Sequence, residues 1–250
     1  MVEKNFSKYA HLYNDYASVQ NYAAAELIKD TPTDGVENIL EIGCGTGNYT
    51  LLLKKKFDAA RIKAVDISAR MIEMAKRKPC VQDIEFIIQD AEELDLIDKF
   101  ELITSNASFQ WFNNLELAIA DYKDALVENG VILFSTFGPL TFCELGRSLR
   151  EVLDKKAIIA SDNFLGKMDM ERILNKYFRC TAITESIVKE KYLSLTELLN
   201  KIKYTGAKGN GITGFPTLTR AMLSKIEDVY RSIFGTVEAS YQIFFCKGIK

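Results

Sequence analysis

Leu40-Glu41-Ile42-Gly43-Cys44-Gly45-Thr46-Gly47-Asn48-Tyr49-Thr50 carries an apolar strand into a helix through glycines at alternate positions. Glycine has no Cβ, so it accepts left-handed dihedrals and lets a ligand lie against the main chain, while the first turn of the next helix offers free N–H groups. The stretch predicts a small-ligand site at the carboxyl end of a strand. Dinucleotide-binding loops space their glycines as G-x-G-x-x-G. Here they stand at Gly43, Gly45 and Gly47 with Glu41 just upstream, and that spacing points to a different nucleoside ligand.

Reading outward, Asp66 closes the apolar run 62–65 and stands at the end of a second strand, where a carboxylate can accept both hydroxyls of a ribose. Residues 84–91 read as a third strand ending in Asp90, an acid suited to an exocyclic adenine amine. Strands near 38–42, 62–66, 84–89, 100–105 and 130–136 alternate with helices near 47–56, 69–77 and 115–126. That alternation predicts an α/β fold with a parallel sheet and helices on both faces. Ligands in such sheets bind outside the carboxyl ends of the strands, where these motifs fall.

Ahead of the loop, Phe6, Tyr9, Ala10, Tyr13, Tyr16 and Ala17 recur at helical spacing, and 23–28 continue the pattern until Thr31-Pro32-Thr33-Asp34-Gly35 breaks it. Two helices are expected there. Beyond the fifth strand, helices near 141–155, 168–177, 195–203 and 217–233 surround strands at 181–189 and 237–246. This segment is too long for a plain crossover. Its extra helices either cap a substrate site or fill out the sheet, and the glycine-rich run 205–214 suits a mobile cap.

At 250 residues, with 48% hydrophobic and 26% charged residues, the chain fits one globular domain rather than a disordered one. The expected division is an amino-terminal helical segment over 1–30, a cofactor-binding core over 38–138, and a cap with substrate-binding elements over 139–235. No apolar run has membrane-spanning length and the amino terminus lacks a signal core, so a cytoplasmic protein is expected, without a membrane partner. The five cysteines lack C-x-x-C spacing and His11 is the sole histidine, so neither a metal site nor a disulfide framework is expected. Cys44 reads as a small residue lining the pocket rather than a nucleophile, since a reactive cysteine normally needs an activating base. His11 is either a base near substrate or a residue with a surface or packing role. Net charge is −8 over residues 1–135 and +6 over 136–250, so the second half offers either a docking face for an acidic partner or a solvated surface.

The order of glycine loop, ribose acid and adenine acid resembles the class I S-adenosylmethionine-dependent methyltransferases over residues 38–138. The resemblance implies a Rossmann-like fold with a mainly parallel seven-stranded sheet, amino-terminal helices and a helical cap after strand five. It implies S-adenosylmethionine as cofactor, held by Glu41, Gly43, Cys44, Gly45, Gly47, Asp66, Ile67, Asp90, Ala91 and Asn106. Amine methylators of nucleobases and glutamine commonly carry an Asn/Asp-Pro-Pro-Tyr tetrapeptide after the fourth strand. This chain instead has Ser105-Asn106-Ala107-Ser108-Phe109-Gln110-Trp111-Phe112, and it lacks a strongly basic overall charge, so nucleic acid is not expected as a partner.

A narrower resemblance rests on Asn5-Phe6-Ser7-Lys8 with Tyr13-Asn14-Asp15-Tyr16-Ala17-Ser18-Val19-Gln20, on Ser105 to Trp111, and on Leu133-Phe134-Ser135-Thr136-Phe137-Gly138-Pro139. These segments are similar to the malonyl-acyl-carrier-protein O-methyltransferases of biotin synthesis, and Lys203-Tyr204-Thr205-Gly206-Ala207 resembles that family's lid. The implied reaction methylates the free carboxylate of a malonyl thioester, carried on acyl carrier protein or coenzyme A. A carboxylate is ionised near neutral pH and needs no general base, so the expectation shifts to alignment, desolvation and a positioning cation. Arg147, Arg150 and Lys203 are the candidates for that cation. Tyr13 and Tyr16 either close over the ligands or pack as ordinary aromatics, and Trp111 reads as a pocket wall. Lys201 and Lys208 are expected on the carrier-docking face. The alternatives are a methyltransferase for another small carboxylate or a quinone precursor, and a cofactor-binding regulator without turnover.

Overall fold

β1 (Asn38–Ile42) is buried from its second residue onward because it lies in the middle of a sheet with helices on both faces. In the computed structural model, which describes residues 2–153, 157–207 and 218–250, seven strands run in the order β3-β2-β1-β4-β5-β7-β6. β2 (Arg61–Asp66), β3 (Glu85–Ile88), β4 (Phe100–Asn106) and β5 (Leu126–Phe137) join β1 in parallel. β7 (Val237–Ile249) is antiparallel to both β5 and β6 (Cys180–Tyr192). The order reverses at β1, which pairs with β2 on one side and β4 on the other. That switch point is where an open α/β sheet leaves a crevice beyond its strand ends.

Successive side chains on a strand face opposite sides, and two cores follow from that period. Ile39, Ile62, Leu102, Leu133 and Ile243 pack under α3 (Ser18–Leu27), α4 (Asn48–Lys56), α7 (Cys143–Val152) and α10 (Arg220–Phe234). Leu40, Val65, Ile103, Phe134 and Phe244 face α6 (Leu115–Ala125) and α8 (Lys167–Tyr177). α5 (Ala69–Lys76) follows β2, with the Ser68 hydroxyl accepting from Met71 N at its start. Asn114 caps α6 in the same way.

The amino-terminal pattern predicts one helix through residue 17, but the chain breaks at 10–12 into α1 (Val2–Tyr9) and α2 (Tyr13–Tyr16) before α3. Turn bonds from Leu12 N to Tyr9 O and from Tyr13 N to Ala10 O close the bend. The bend lets α1 fold back across the strand ends, where Ser7 Oγ meets Ser68 Oγ at 2.8 Å and Phe6 packs edge-on against Trp111. A straight helix would carry Phe6 past both contacts.

Of the helices after β5, α8 lies on one sheet face, and α7 and α10 pair on the other. α9 (Leu195–Tyr204) also meets α1 and α2 above the strand ends. Most of the glycine-rich run 205–214 expected to move lies outside the described residues, as does Lys208.

Candidate active site

The loop after β1 places Gly43, Gly45 and Gly47 at φ of +68, +54 and +79 degrees, so each holds a conformation that a side chain would strain. Their surroundings differ. At Gly43 a Cβ would run into the Ser108 side chain, whereas at Gly45 it would project into open space. Those two glycines border a cavity of about 410 Å³ beyond the strand ends. Gly47 does not line it, because a Cβ there would press on Ala75 Cβ at 3.0 Å, and its role is to let α4 approach α5.

Asp66, Ile67, Asp90, Ala91 and Asn106 also line the large cavity, each at or just beyond the end of β2, β3 or β4. Asp66 Oδ2 accepts from Gly45 N and Oδ1 from Ser68 N, both at 2.8 Å, so one carboxylate braces the glycine loop and the head of α5. Burial pushes its pKa up to about 6, against the pull of those N–H groups. A carboxylate offers about four lone-pair sites, which leaves positions for ligand hydroxyls.

Glu41 is not a lining residue. It is 1% exposed beneath the loop, with Oε2 lacking a hydrogen-bond partner among the described residues, and burial pushes its carboxyl up to about 8. Cys44 borders a small recess between the loop and α3 and not the large cavity, and burial raises its thiol pKa, which suits a packing residue and not a nucleophile. His11 is exposed in the turn after α1, away from these cavities.

A second, narrower cavity continues from the first, with Phe6, Tyr13, Ala107 and Trp111 in both walls. Its floor and sides come from Phe137, Phe142, Phe164 and Tyr241. Tyr13 borders all three spaces, and burial with the Asp66 charge beside it raises its hydroxyl pKa. Ala107, at the junction, holds a left-handed φ of +54 degrees, with its N–H on Ser135 Oγ at 3.0 Å and its carbonyl taken by Gln110 Nε2 at 2.7 Å. Strained backbone of this kind clusters at ligand sites.

The expected cations are elsewhere. Arg147 points to the outer side of α7 with its guanidinium 5.8 Å from the Phe234 ring. Arg150 is paired with Asp162 at 3.0 Å, and Asp162 also caps Ile159 N. Lys203 lies 5.3 Å from the Tyr9 ring and 5.0 Å from that of Tyr204, and Tyr16 packs on Tyr204 at 4.8 Å. Among the described residues no lysine or arginine borders any of the three spaces. The physical reason is helical register, since α7 turns Leu145 and Leu149 to the core and so directs positions 147 and 150 away from it. Lys201 is also misread as a surface residue. It is 8% exposed, bonded to Glu190 and to Ser18 Oγ, and ties α9 to β6 and α3.

Residue-level reading missed Glu3, Phe6, Met71, Glu92, Ala107, Ser108, Phe112 and Asn113 in the large cavity. Ser108 and Phe112 lie in the distinctive stretch after β4, so a signal existed for them. Nothing in local sequence marks Met71 or Glu3, which the turn of α5 and the fold-back of α1 bring there.

The cavity offers two glycines without side chains, acids at Asp66 and Asp90 for hydroxyls and an amine, and no cation among its described residues, which fits S-adenosylmethionine, a positively charged nucleoside of that size.

A family profile described as a methyltransferase domain matches residues 39–130. The chain is 36% identical over 235 residues to Malonyl-[acyl-carrier protein] O-methyltransferase 2 of Ilyobacter polytropus, covering 92% of this chain and 88% of that protein. It is 32% identical over 256 residues to Malonyl-[acyl-carrier protein] O-methyltransferase of Bacillus anthracis, covering 98% and 95%. Among solved structures, a putative methyltransferase from Bacillus halodurans superposes with a TM-score of 0.66 at 14% identity, covering 92% of this chain and 99% of that one. The last likeness concerns the fold alone.

Proposed function

The chain belongs to the malonyl-acyl-carrier-protein O-methyltransferases, and from that membership we propose that it methylates the free carboxylate of a malonyl thioester. The product is the methyl ester that begins pimeloyl assembly for biotin. S-adenosylmethionine supplies an electrophilic methyl on a sulfonium. A carboxylate oxygen takes that methyl as the sulfur–carbon bond pair returns to sulfur, and no proton moves. The observation that carries the reading is the continuity of the two cavities, an acidic glycine-lined chamber opening past Tyr13 and Trp111 into an aromatic one.

Gly43, Gly45, Asp66, Ile67, Asp90, Ala91 and Asn106 hold the cofactor in this reading. Glu41 and Gly47 support the loop from behind, and Cys44 fills its inner side. The cofactor core over 38–138 and the acceptor elements over 139–235 then meet at the junction, with α1 and α2 contributing to both. Phe6, Phe164 and Trp111 exclude water around the nucleophile, and a desolvated carboxylate is the more reactive one. An acyl carrier protein presents the malonyl group, and its acidic character suits the positive second half. The thioester acceptor makes the cytoplasm the site of action. Among the described residues no helix is long and apolar enough to cross a membrane.

Incubation with methyl-labelled cofactor and malonyl-acyl carrier protein, malonyl-CoA, free malonate or an unrelated quinone precursor tests the reading. Label is expected as a base-labile methyl ester on the malonyl thioesters. Transfer only to the quinone precursor, or to none of the four, removes it.

A further inference from the structure

We propose that Gln20 and Trp111 hold the acceptor carboxylate through neutral N–H donors, in place of the cation that carboxylate chemistry first suggests. This assignment rests on the proposed function. It begins from the polar groups of the second cavity, most of which are engaged. Gln110 Oε1 accepts from Thr136 Oγ1 at 3.2 Å while its Nε2 bonds Ala107 O. Thr141 Oγ1 donates to Gln242 O at 3.3 Å, Thr205 Oγ1 to Lys201 O at 2.8 Å, and the Tyr241 hydroxyl pairs with Tyr192 at 2.7 Å.

Gln20 differs. It is 7% exposed, and its Oε1 is buried with no hydrogen-bond partner among the described residues. It borders both the aromatic cavity and the recess beside the glycine loop. A buried amide oxygen left without a partner costs stability, so its persistence points to a ligand. The two ends of the amide exchange by a half-turn, which presents Nε2 to an anion. Trp111 stands in the walls of both larger cavities, and among the described residues no hydrogen bond engages its indole N–H.

The two donors are held in register. Gln20 O accepts from Asn106 Nδ2 at 3.1 Å and Asn106 Oδ1 accepts from Ser135 Oγ at 2.7 Å, which locks α3 to the turn that carries Trp111. Neutral donors also suit the chemistry. Methyl transfer converts a carboxylate and a sulfonium into an ester and a thioether, so both charges vanish. A fixed cation would stabilise the ground-state carboxylate most and be left unpaired beside the product. N–H donors orient the oxygen without that penalty.

Trp111 is the single tryptophan of the chain, so its fluorescence reports on the site. With S-adenosylhomocysteine bound, malonyl-CoA is titrated against wild type and Gln20→Leu by fluorescence, and against Trp111→Phe by calorimetry. Each variant is expected to weaken malonyl-CoA binding about tenfold or more, with S-adenosylhomocysteine affinity held within about twofold. Trp111→Phe keeps a ring against Phe6 and Phe164, and Gln20→Leu removes an orphaned acceptor, so thermal melts should stay close to wild type. Gln20→Glu supplies a second, nearly isosteric variant. It should repel malonyl-CoA yet bind the malonyl-CoA methyl ester as wild type does. Unchanged malonyl-CoA affinity in the folded variants, or a loss found instead in Lys203→Ala or Arg150→Ala, overturns the assignment. Gln20-dependent binding without methylation of any malonyl thioester would remove the proposed function and leave this site standing.

Discussion

Asp66 combines two tasks that pull its charge in opposite directions. Burial raises its pKa from 3.8 to about 6, while the Gly45 and Ser68 N–H groups and the proposed ribose hydroxyls all favour the ionised form. The sign follows from linkage. The free protein takes up a proton as pH falls through about 6, and the complex resists it, so cofactor affinity should decline below that pH by up to about tenfold per unit. Calorimetric titration between neutral and mildly acid pH reads this slope. Asp66→Asn should flatten it and lower neutral-pH affinity by roughly one to two decades, through loss of charge-assisted bonds. A wild-type profile level across that interval would show that Asp66 does not bear the ribose.

At the scale of the element, the β1–α4 turn separates two uses of glycine that look alike in the sequence. Gly45→Val directs a branched side chain into the cavity, so cofactor affinity should fall at least about tenfold. Gly47→Ala directs its methyl at Ala75 on α5, so the expected effect is on the fold, about 1–2 kcal/mol from the left-handed conformation and more from the contact. Thermal melts and cofactor titrations of both variants distinguish them. Equal affinity losses with equal melts would mean the two positions do the same work. α7 gives the same lesson for charge. Its arginines were legible as cations near the fifth strand, but the helical phase that sends Arg147 to Phe234 and Arg150 to Asp162 depends on which face α7 buries.

Across the whole molecule, the described lining of the large cavity comes from the net negative first half, whereas the aromatic cavity draws on both halves and the net positive charge lies in the second. Long-range steering should matter for a carrier protein and little for a small thioester. Added salt is therefore expected to lower kcat/KM for malonyl-acyl carrier protein more steeply than for malonyl-CoA. A salt series on both substrates checks it, and parallel slopes would remove the docking face. Lys201 takes no direct part in such steering. Its charge is buried on Glu190, where it fastens α9 to the sheet edge beside the aromatic cavity.

The glycine loop, the acids at 66 and 90 and the alternating strands were readable locally, because each depends on spacing along one strand or turn. Strand ends in a parallel sheet all point to one crevice, so Gly43, Gly45, Asp66, Asp90 and Asn106 had to converge once the alternation was recognised. The acceptor chamber was not readable in that way. Phe6 reaches it by the bend at 10–12, Gln20 by the docking of α3, and Tyr241 by the antiparallel return of β7. Contacts between residues so far apart in the chain leave no local period or spacing. Only packing decides which side chain of a helix turns inward, and here it brought an amide and an indole to the place where a cation was expected.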